Sequence, residues 1–304
     1  MTALSQLILD RYQVRKTKKQ KNEFISLLKE HFSELQVQEG GFPKNRNLIL
    51  GDVESAQILL TAHYDTCAVL PFPNFITPKN IFLSILYSLV IVIPIFALNY
   101  LVQYILGFIT DSFIVHYIAL LVVMFGALSL LMAGPANKHT ANDNTSGVIT
   151  LCEIIAAMTP EERRKVAVVF FDNEENGLLG SAYFRKRYKK IMSNKLLINF
   201  DCVSDGDNIL VAVSKDARKT LGDKLANCFQ SDLEKQVRME DAEKVYYPSD
   251  QAGFKQSVAI AALKHNRFLG YYMDRIHTNK DTVFDEYNIN FLTRATIRLI
   301  QEYI

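Results

Sequence analysis

The most restrictive feature of this 304-residue sequence is a stretch of 58 consecutive residues, positions 80–137, that contains no Lys, Arg or Glu. Asp111 is its only formal charge. The stretch divides at residues 107–112 into two apolar runs, 81–106 and 113–133, and each is long enough to cross about 30 Å of hydrocarbon. A helix in a soluble core normally keeps a polar face, which both runs lack. The sequence therefore predicts a transmembrane helical hairpin, with two buried core helices as the alternative.

Charges around this stretch predict its orientation. Lys79 and Lys138 flank its outer ends, whereas the linker around Asp111 has no Lys or Arg. Because Lys and Arg favour the cytoplasmic side, we expect a multi-pass membrane protein whose folded regions face the cytoplasm. Five cations in residues 15–21, with no acid among them, predict either contact with anionic lipid headgroups or a solvated helix face.

Composition narrows the class of protein. Thirty-four Lys and Arg residues oppose 32 Asp and Glu residues, and a formal charge of +2 gives no reason to expect nucleic acid as a partner. The hydrophobic fraction of 49% excludes intrinsic disorder. The four cysteines have no paired spacing, which argues against a disulfide scaffold and suits a reducing cytosol. Residues 1–19 lack the pattern of a secretory signal, so we expect none.

Outside residues 78–137, the sequence predicts one α/β domain formed by residues 1–77 and 138–304. Apolar residues recur at helical spacing over residues 22–35 and 148–158, which predicts two helices. Alternation of such helices with strands indicates a doubly wound, mainly parallel sheet interrupted by the inserted hairpin. Short apolar runs predict the strands at residues 48–50, 57–62, 166–171, 196–200, 209–213 and 258–263.

Acidic and histidine side chains follow several of these strands. In an open α/β sheet, reactive groups collect in the crevice beyond the carboxyl ends of the strands. Imidazole and carboxylate ligands of this kind suit a pair of zinc-like ions. The candidates at or near strand ends are His63, Asp65, Glu174, Glu175 and Asp201, and two more, Asp143 and His277, lie in polar motifs elsewhere.

Five motifs in this order resemble those of the M28 family of zinc aminopeptidases, whose relatives include glutaminyl cyclases. The resemblance covers most of the chain outside the hairpin, and five ordered motifs are far more specific than one. It implies the zinc aminopeptidase fold and hydrolysis of N-terminal residues from peptides. The motifs are AHYDT at 62–66, ANDNTSG at 141–147, FDNEENGLLGS at 171–181, NFD at 199–201 and IHTNKDT at 276–282.

The resemblance also implies a role for each site residue. His63 and Asp201 would hold one Zn²⁺, Glu175 and His277 would hold a second, and Asp143 would bridge both. Glu174 would be the general base, and Asp65 would orient His63. The resemblance further suggests a cis peptide bond after Asp143.

Neighbouring residues have several interpretations. Cys67 and Cys202 lie beside the motifs, and we interpret both as buried packing residues because oxygen and imidazole ligands complete the set. Asp172 and Asp281 would either support ligands or cap the turns that follow them. The chain departs from many relatives at Gln251, where they have His after a Ser-Asp pair.

Three functions compete. The first is a membrane-anchored di-zinc aminopeptidase with its catalytic domain in the cytoplasm, for which peptides and the lipid bilayer are the expected partners. The second is a glutaminyl-cyclase-like acyltransferase that uses a single zinc ion. The third is a non-catalytic membrane receptor or scaffold with a peptidase fold. The retention of all five ligand positions favours the first, and the sequence carries no signal for the oligomeric state.

Overall fold

A mixed nine-stranded sheet organises the chain outside the apolar stretch. The structure, a computed structural model, describes residues 1–303. Eight strands follow the spatial order β1-β2-β4-β3-β5-β8-β6-β7, and β9 pairs with β8. The strands are β1 Gln36–Gly40, β2 Asn45–Leu50, β3 Ile58–His63, β4 Val166–Phe171, β5 Leu196–Phe200, β6 Asn208–Val213, β7 Gln236–Asp241, β8 Ser257–Asn266 and β9 Gly270–Tyr272.

The centre of the sheet is parallel, as the sequence predicts. Strands β4, β3, β5 and β8 run in one direction, so their carboxyl ends meet at one edge. The outer strands are mixed, because β1 with β2, β2 with β4 and β6 with β8 pair antiparallel, while β6 with β7 pair parallel. The predicted strands 166–171 and 196–200 have the bounds of β4 and β5, and the other four differ from the predicted bounds by one to three residues.

Helices cover both faces of this sheet. In β3, Ile58 and Leu60 belong to the larger core cluster, whereas Leu59 packs on the opposite face with Phe171 and Phe184. This alternation buries both faces, as a doubly wound sheet requires. The helices are α1 Ala3–Arg11, α2 Lys18–His31, α3 Ile81–Gly107, α4 Phe113–Ala133, α5 Gly147–Ala157, α6 Pro160–Arg163, α7 Leu179–Arg187, α8 Lys215–Cys228 and α9 Glu286–Tyr303.

Helices α3 and α4 form an apolar hairpin with little burial. Ser84 is the one buried residue of α3, and α4 has none. Large apolar side chains point outward, and Leu130 is 74% exposed. Both helices are long and apolar enough to cross a membrane. The alternative of two buried core helices is therefore wrong.

The basic segment at residues 15–21 does not form one exposed surface. Arg15 is fully buried, and its Nε donates a hydrogen bond to the carbonyl oxygen of Tyr64 at 2.5 Å. Burial lowers the pKa of Arg15 to about 10. Lys21 is also buried and pairs with Asp172 at 2.5 Å. The predictions of lipid contact and of a solvated face are therefore both wrong for Arg15 and Lys21. These two buried cations instead bind Tyr64 and Asp172, which directly follow the central strands β3 and β4.

Lys16, within this segment, links it to the hairpin. Its Nζ donates a hydrogen bond to the carbonyl oxygen of Met132 near the end of α4 at 2.7 Å. That carbonyl belongs to the last turn of the helix, where carbonyl groups have no partner within the helix. The end of the hairpin is thus tied to the α/β region by a charged group.

Candidate metal centre

Most of the predicted site residues lie at the carboxyl ends of the central strands. His63 is the last residue of β3, and Asp201 directly follows β5. Glu174 and Glu175 lie in the turn between β4 and α7. The sheet therefore brings together side chains that are more than 100 residues apart in the sequence. Asp65 and His277 lie in loops, and Asp143 lies in the irregular helical turn Ala141–Ser146 just before α5.

Asp143 lies between the two histidines. Its Oδ1 is 3.3 Å from Nε2 of His63, and its Oδ2 is 3.2 Å from Nε2 of His277. Asp201 Oδ1 is 3.4 Å from the same nitrogen of His63, and Glu175 Oε2 is 3.2 Å from that of His277. Two groups of donor atoms thus share one carboxylate, in the arrangement that the resemblance implies.

Both groups have the composition of a metal site. His63, Asp143 and Asp201 form one set that could hold an ion. Asp143, Glu175 and His277 form a second set, with Cys67 beside them. The Oε1 atom of Glu175 is buried without a hydrogen-bond partner, which is costly for a carboxylate unless another ligand satisfies it.

Asp65 supports the turn that carries the two glutamates. Its Oδ1 accepts a hydrogen bond from the backbone N–H of Glu174 at 3.0 Å, and its Oδ2 accepts one from that of Glu175 at 3.2 Å. His63 Nδ1 is 3.1 Å from the backbone carbonyl oxygen of Asp65 and 3.8 Å from its carboxylate. The backbone of Asp65 therefore orients His63, while its carboxylate fixes the turn.

Asp281 supports the segment around Asp143. Its two carboxylate oxygens accept hydrogen bonds from the backbone N–H groups of Asn142 and Asp143, at 2.9 Å and 3.0 Å. The peptide bond between Asp143 and Asn144 is cis, as the resemblance suggests. Asn144 Nδ2 donates to the carbonyl oxygen of Phe200, just before Asp201, at 3.0 Å. Of the two interpretations of Asp281, the structure favours a carboxylate that supports a candidate ligand, Asp143, over one that caps a turn. Its position four residues after His277 could have indicated this role.

His277 occupies a strained backbone conformation. Its φ of 64° lies in the left-handed region, which residues other than glycine seldom adopt. Its carbonyl oxygen accepts a hydrogen bond from the backbone N–H of Leu70 at 2.7 Å. Such strain persists only where the surroundings enforce it, and it is common at functional sites.

Burial and mutual charge dominate the electrostatics of the cluster. Burial raises the pKa of Glu174 well above its usual range; the charge of His63 opposes this shift, whereas that of Glu175 adds to it. Burial likewise raises the pKa of Glu175 to about 8. For His277, burial lowers the pKa, but the charges of Glu175 and Asp143 outweigh it and raise the value to about 9. The centre thus crowds acidic groups into a low-dielectric region, where a nearby cation would favour their ionised forms.

Three further residues border the cluster. Cys67 is buried, and burial together with the charges of Glu175 and Asp143 raises the pKa of its thiol, which favours the neutral form. Tyr247 is buried, and its hydroxyl donates to the carbonyl oxygen of Asp201 at 3.0 Å. Asp250 is fully buried, and neither of its carboxylate oxygens has a hydrogen-bond partner. Asp250 is not among the site residues that the motifs predict, although it directly precedes Gln251.

Comparison with known proteins identifies the family of this chain. Residues 122–300 match the model of peptidase family M28. This match covers more than half of the chain, and the protein therefore belongs to peptidase family M28. The match begins within α4 and thus does not include His63 or Asp65. No curated protein sequence matches the chain.

Solved structures share the fold at low sequence identity. The LapA aminopeptidase of Legionella pneumophila is 15% identical, with a TM-score of 0.56 over 99% of this chain and 70% of that one. Porphyromonas gingivalis glutaminyl cyclase is 14% identical, with a TM-score of 0.57 over 99% and 97%. A Zn-dependent exopeptidase from Parabacteroides distasonis is 14% identical, with a TM-score of 0.56 over 98% and 96%. The predicted zinc aminopeptidase-like fold is thereby confirmed.

Proposed function

We propose that the protein is a membrane-anchored metallo-aminopeptidase that holds two zinc ions and hydrolyses N-terminal residues from peptides. The observation that carries this proposal is the position of Asp143, which directs one oxygen toward each histidine. A carboxylate placed in this way is suited to bridge two cations. The family and the named Zn-dependent exopeptidase support zinc as the metal.

The donor atoms fit zinc in number and spacing. Tetrahedral coordination at about 2.1 Å places neighbouring ligand atoms about 3.4 Å apart. The four contacts between the histidine nitrogens and the carboxylate oxygens measure 3.2 to 3.4 Å. Imidazole and carboxylate are ligands that zinc accepts. The unpartnered Oε1 of Glu175 supplies a further donor.

Residues of the chain divide the catalytic work. When bound, two zinc ions supply Lewis-acid polarisation of the substrate carbonyl and a lowered pKa of water. His63 and Asp201 would hold the first ion, Glu175 and His277 the second, and Asp143 both. Glu174 Oε would accept the proton of the attacking water and donate it to the leaving amine. Asp65 keeps Glu174 in place for this transfer through its hydrogen bond to the backbone of the turn.

We further propose that α3 and α4 anchor the protein in a bilayer with the α/β region in the cytoplasm. The exposed apolar side chains of both helices and the flanking Lys79 and Lys138 support this topology. All four native cysteines are buried, so an introduced cysteine is a selective label site. In intact cells an impermeant thiol reagent should label Asp111→Cys, and it should label Lys138→Cys only after permeabilisation. The reverse pattern would contradict the orientation.

Metal stoichiometry tests the enzymatic proposal. We expect two zinc ions per chain in detergent-extracted protein and hydrolysis of aminoacyl amides, both abolished by a chelator and restored by zinc. One ion per chain with cyclisation of N-terminal glutamine would instead identify a glutaminyl-cyclase-like acyltransferase. Protein that binds no zinc after reconstitution and hydrolyses no aminoacyl amide would be the non-catalytic scaffold.

A further inference from the structure

A cavity of about 360 Å³ joins the candidate metal centre to the apolar hairpin. This cavity, which we call the near cavity, is lined by Glu175 and His277 of the candidate metal centre. Tyr87 and Ile91 of α3 and Leu131 of α4 also line it. The two helices therefore do more than anchor the chain, because their side chains form part of the wall beside the metal ligands.

A second cavity continues along the hairpin. This far cavity has a volume of about 590 Å³ and includes Ile95 and Ala127 in its lining. No lining residue carries a charge, and the one side-chain hydroxyl is that of Tyr87. That hydroxyl already donates a hydrogen bond to the carbonyl oxygen of Pro73 at 2.7 Å. The two cavities share Leu70, Phe72, Tyr87, Ile91 and Leu131.

The shared wall is fixed at both ends. The backbone N–H of Leu70 donates a hydrogen bond to the carbonyl oxygen of His277 at 2.7 Å. The backbone N–H of Val69 donates one to the carbonyl oxygen of Pro135, just after α4, at 2.8 Å. The rings of Phe75 and Tyr87 lie 5.2 Å apart. Contacts with the metal-centre loop and with the hairpin thus hold the same segment, residues 67–77, in place.

We infer that the two cavities form a lateral passage by which an apolar peptide end reaches the metal centre from the bilayer. This inference rests on the proposed aminopeptidase function and names its substrate class: peptides whose first residues are apolar and partition into the membrane. The N-terminal residue lies in the near cavity beside Glu175 and His277, and the residues after it lie in the far cavity.

Size and chemistry favour this occupant. The volumes of both cavities lie within the range of about 300 to 1,000 Å³ that is typical of sites for whole small ligands. Each cavity is therefore larger than a pocket for one side chain. No side chain that lines the far cavity is charged, so a charged side chain of a peptide would lose its hydration there without gaining a charged partner. An apolar peptide would instead gain free energy by burying its surface.

Adjacent positions in α4 provide a matched test. Ala127 lines the far cavity, whereas Gly126 does not, and a Cβ added at Gly126 would meet no atom within 4 Å. Ala127→Trp therefore fills the passage, and Gly126→Trp adds the same bulk outside it. Both variants and the unmodified protein are reconstituted with zinc in phosphatidylcholine vesicles. The substrates are a peptide with three N-terminal leucines and an apolar tail, and water-soluble alanine amide.

We expect Ala127→Trp to lower kcat/KM for the leucine peptide at least tenfold and to leave that for alanine amide within twofold. Gly126→Trp should change neither value by more than twofold. Equal loss on both substrates in Ala127→Trp, or no loss on either, would overturn the passage. Unmodified zinc-loaded protein that hydrolyses neither substrate would instead contradict the aminopeptidase function, and the passage would then be judged by binding alone.

Fluorescence gives that binding readout without catalysis. The sequence has no tryptophan, so Phe72→Trp places a single reporter in the wall shared by both cavities. In chelator-treated protein, a leucine peptide with a dansyl group should quench this reporter saturably, and unlabelled leucine peptide should reverse the quenching. A polar peptide of equal length should do neither. Quenching by brominated lipid that the leucine peptide does not relieve would identify lipid as the occupant and overturn the inference.

Discussion

The α/β region and the hairpin are both rich in apolar residues but treat them in opposite ways. Every residue of β3, β4 and β5 is buried, whereas Ser84 is the one buried residue of α3 and α4 together. In the α/β region, burial removes apolar surface from water and stabilises the fold. The hairpin leaves comparable side chains exposed, which suits a bilayer and not water. Apolar residues therefore indicate a buried core in one region and a bilayer in the other. The two cases differ in the sequence because charged residues flank the short strands, whereas residues 80–137 contain no Lys, Arg or Glu.

Polar groups sharpen this contrast. Buried polar side chains of the α/β region gather beyond the strand ends, where His63, Asp143 and Asp201 lie together. In the hairpin, the polar contact of Gln103 with His116, at 2.6 Å, lies near the turn between the helices. The α/β region therefore holds the candidate metal ligands, and the hairpin contributes apolar surface near them.

The largest expected effect concerns the chemistry of the α/β region. Glu174→Gln keeps the size of the side chain but removes the proton acceptor, so kcat should fall by about 10²- to 10⁴-fold with zinc content unchanged. Glu54→Gln, in an exposed turn before β3, is the control. Activity of Glu174→Gln within twofold of the unmodified protein would remove Glu174 from the role of general base.

A second prediction concerns a buried charge of the same region. Burial raises the pKa of Asp250 from 3.8 to about 7. Between these two pH values the unfolded chain loses the proton first, so the free energy of unfolding falls as pH rises and stays low above pH 7. In metal-free protein, Asp250→Asn should therefore stabilise the fold at pH 8 by up to about 4 kcal/mol.

Thermal unfolding of both proteins between pH 4 and pH 8 measures this effect. The gain from Asp250→Asn should shrink toward pH 4, because the carboxyl group is then largely neutral in the folded state. A gain that does not depend on pH would show that the charge of Asp250 is not its cause.

The sequence predicted the centre of the fold better than its edges. Strands β4 and β5 are continuous apolar runs, and their predicted bounds are those observed. Strands β1, β7 and β9 were missed because their residues are only partly buried, and those of β1 and β7 are also mostly polar. An edge strand of this kind takes its conformation from its neighbour in the sheet and carries no apolar pattern of its own.

The candidate site shows the same division. Motif positions identified the residues that the structure brings together, including Asp143 between the two histidines. They did not reveal that the carboxylate of Asp65 binds the backbone of the glutamate turn. Nor did they reveal the burial of Arg15, whose guanidinium donates hydrogen bonds to Tyr64 and Thr145. These partners lie 49 and 130 positions further along the sequence. Such contacts depend on tertiary packing, which periodicity does not encode.

A third prediction tests the surroundings of the hairpin. Ile93 lies near the middle of α3 and is 60% exposed, so Ile93→Lys would place a charge in the hydrocarbon if the helix spans a bilayer. The cost is about 2.5 to 3.5 kcal/mol on insertion scales. We expect a smaller fraction of this variant in carbonate-washed membranes, with Ile93→Met unchanged. Equal recovery of the lysine variant would argue that α3 does not span a membrane.

The smallest effect separates the two halves of the metal centre. Because the carboxylate of Asp65 holds the backbone of Glu174 and Glu175, whereas its carbonyl contacts His63, Asp65→Asn should affect mainly the ion near Glu175. We expect about a 10- to 100-fold loss of affinity for that ion in a chelator competition, and a smaller change for the other. Asp52→Asn is a matched control, since Asp52 accepts the same kind of backbone hydrogen bonds from Glu54 and Ser55 in an exposed turn. Preferential loss of the ion beside His63 would instead mean that the Asp65 carboxylate acts mainly through the imidazole.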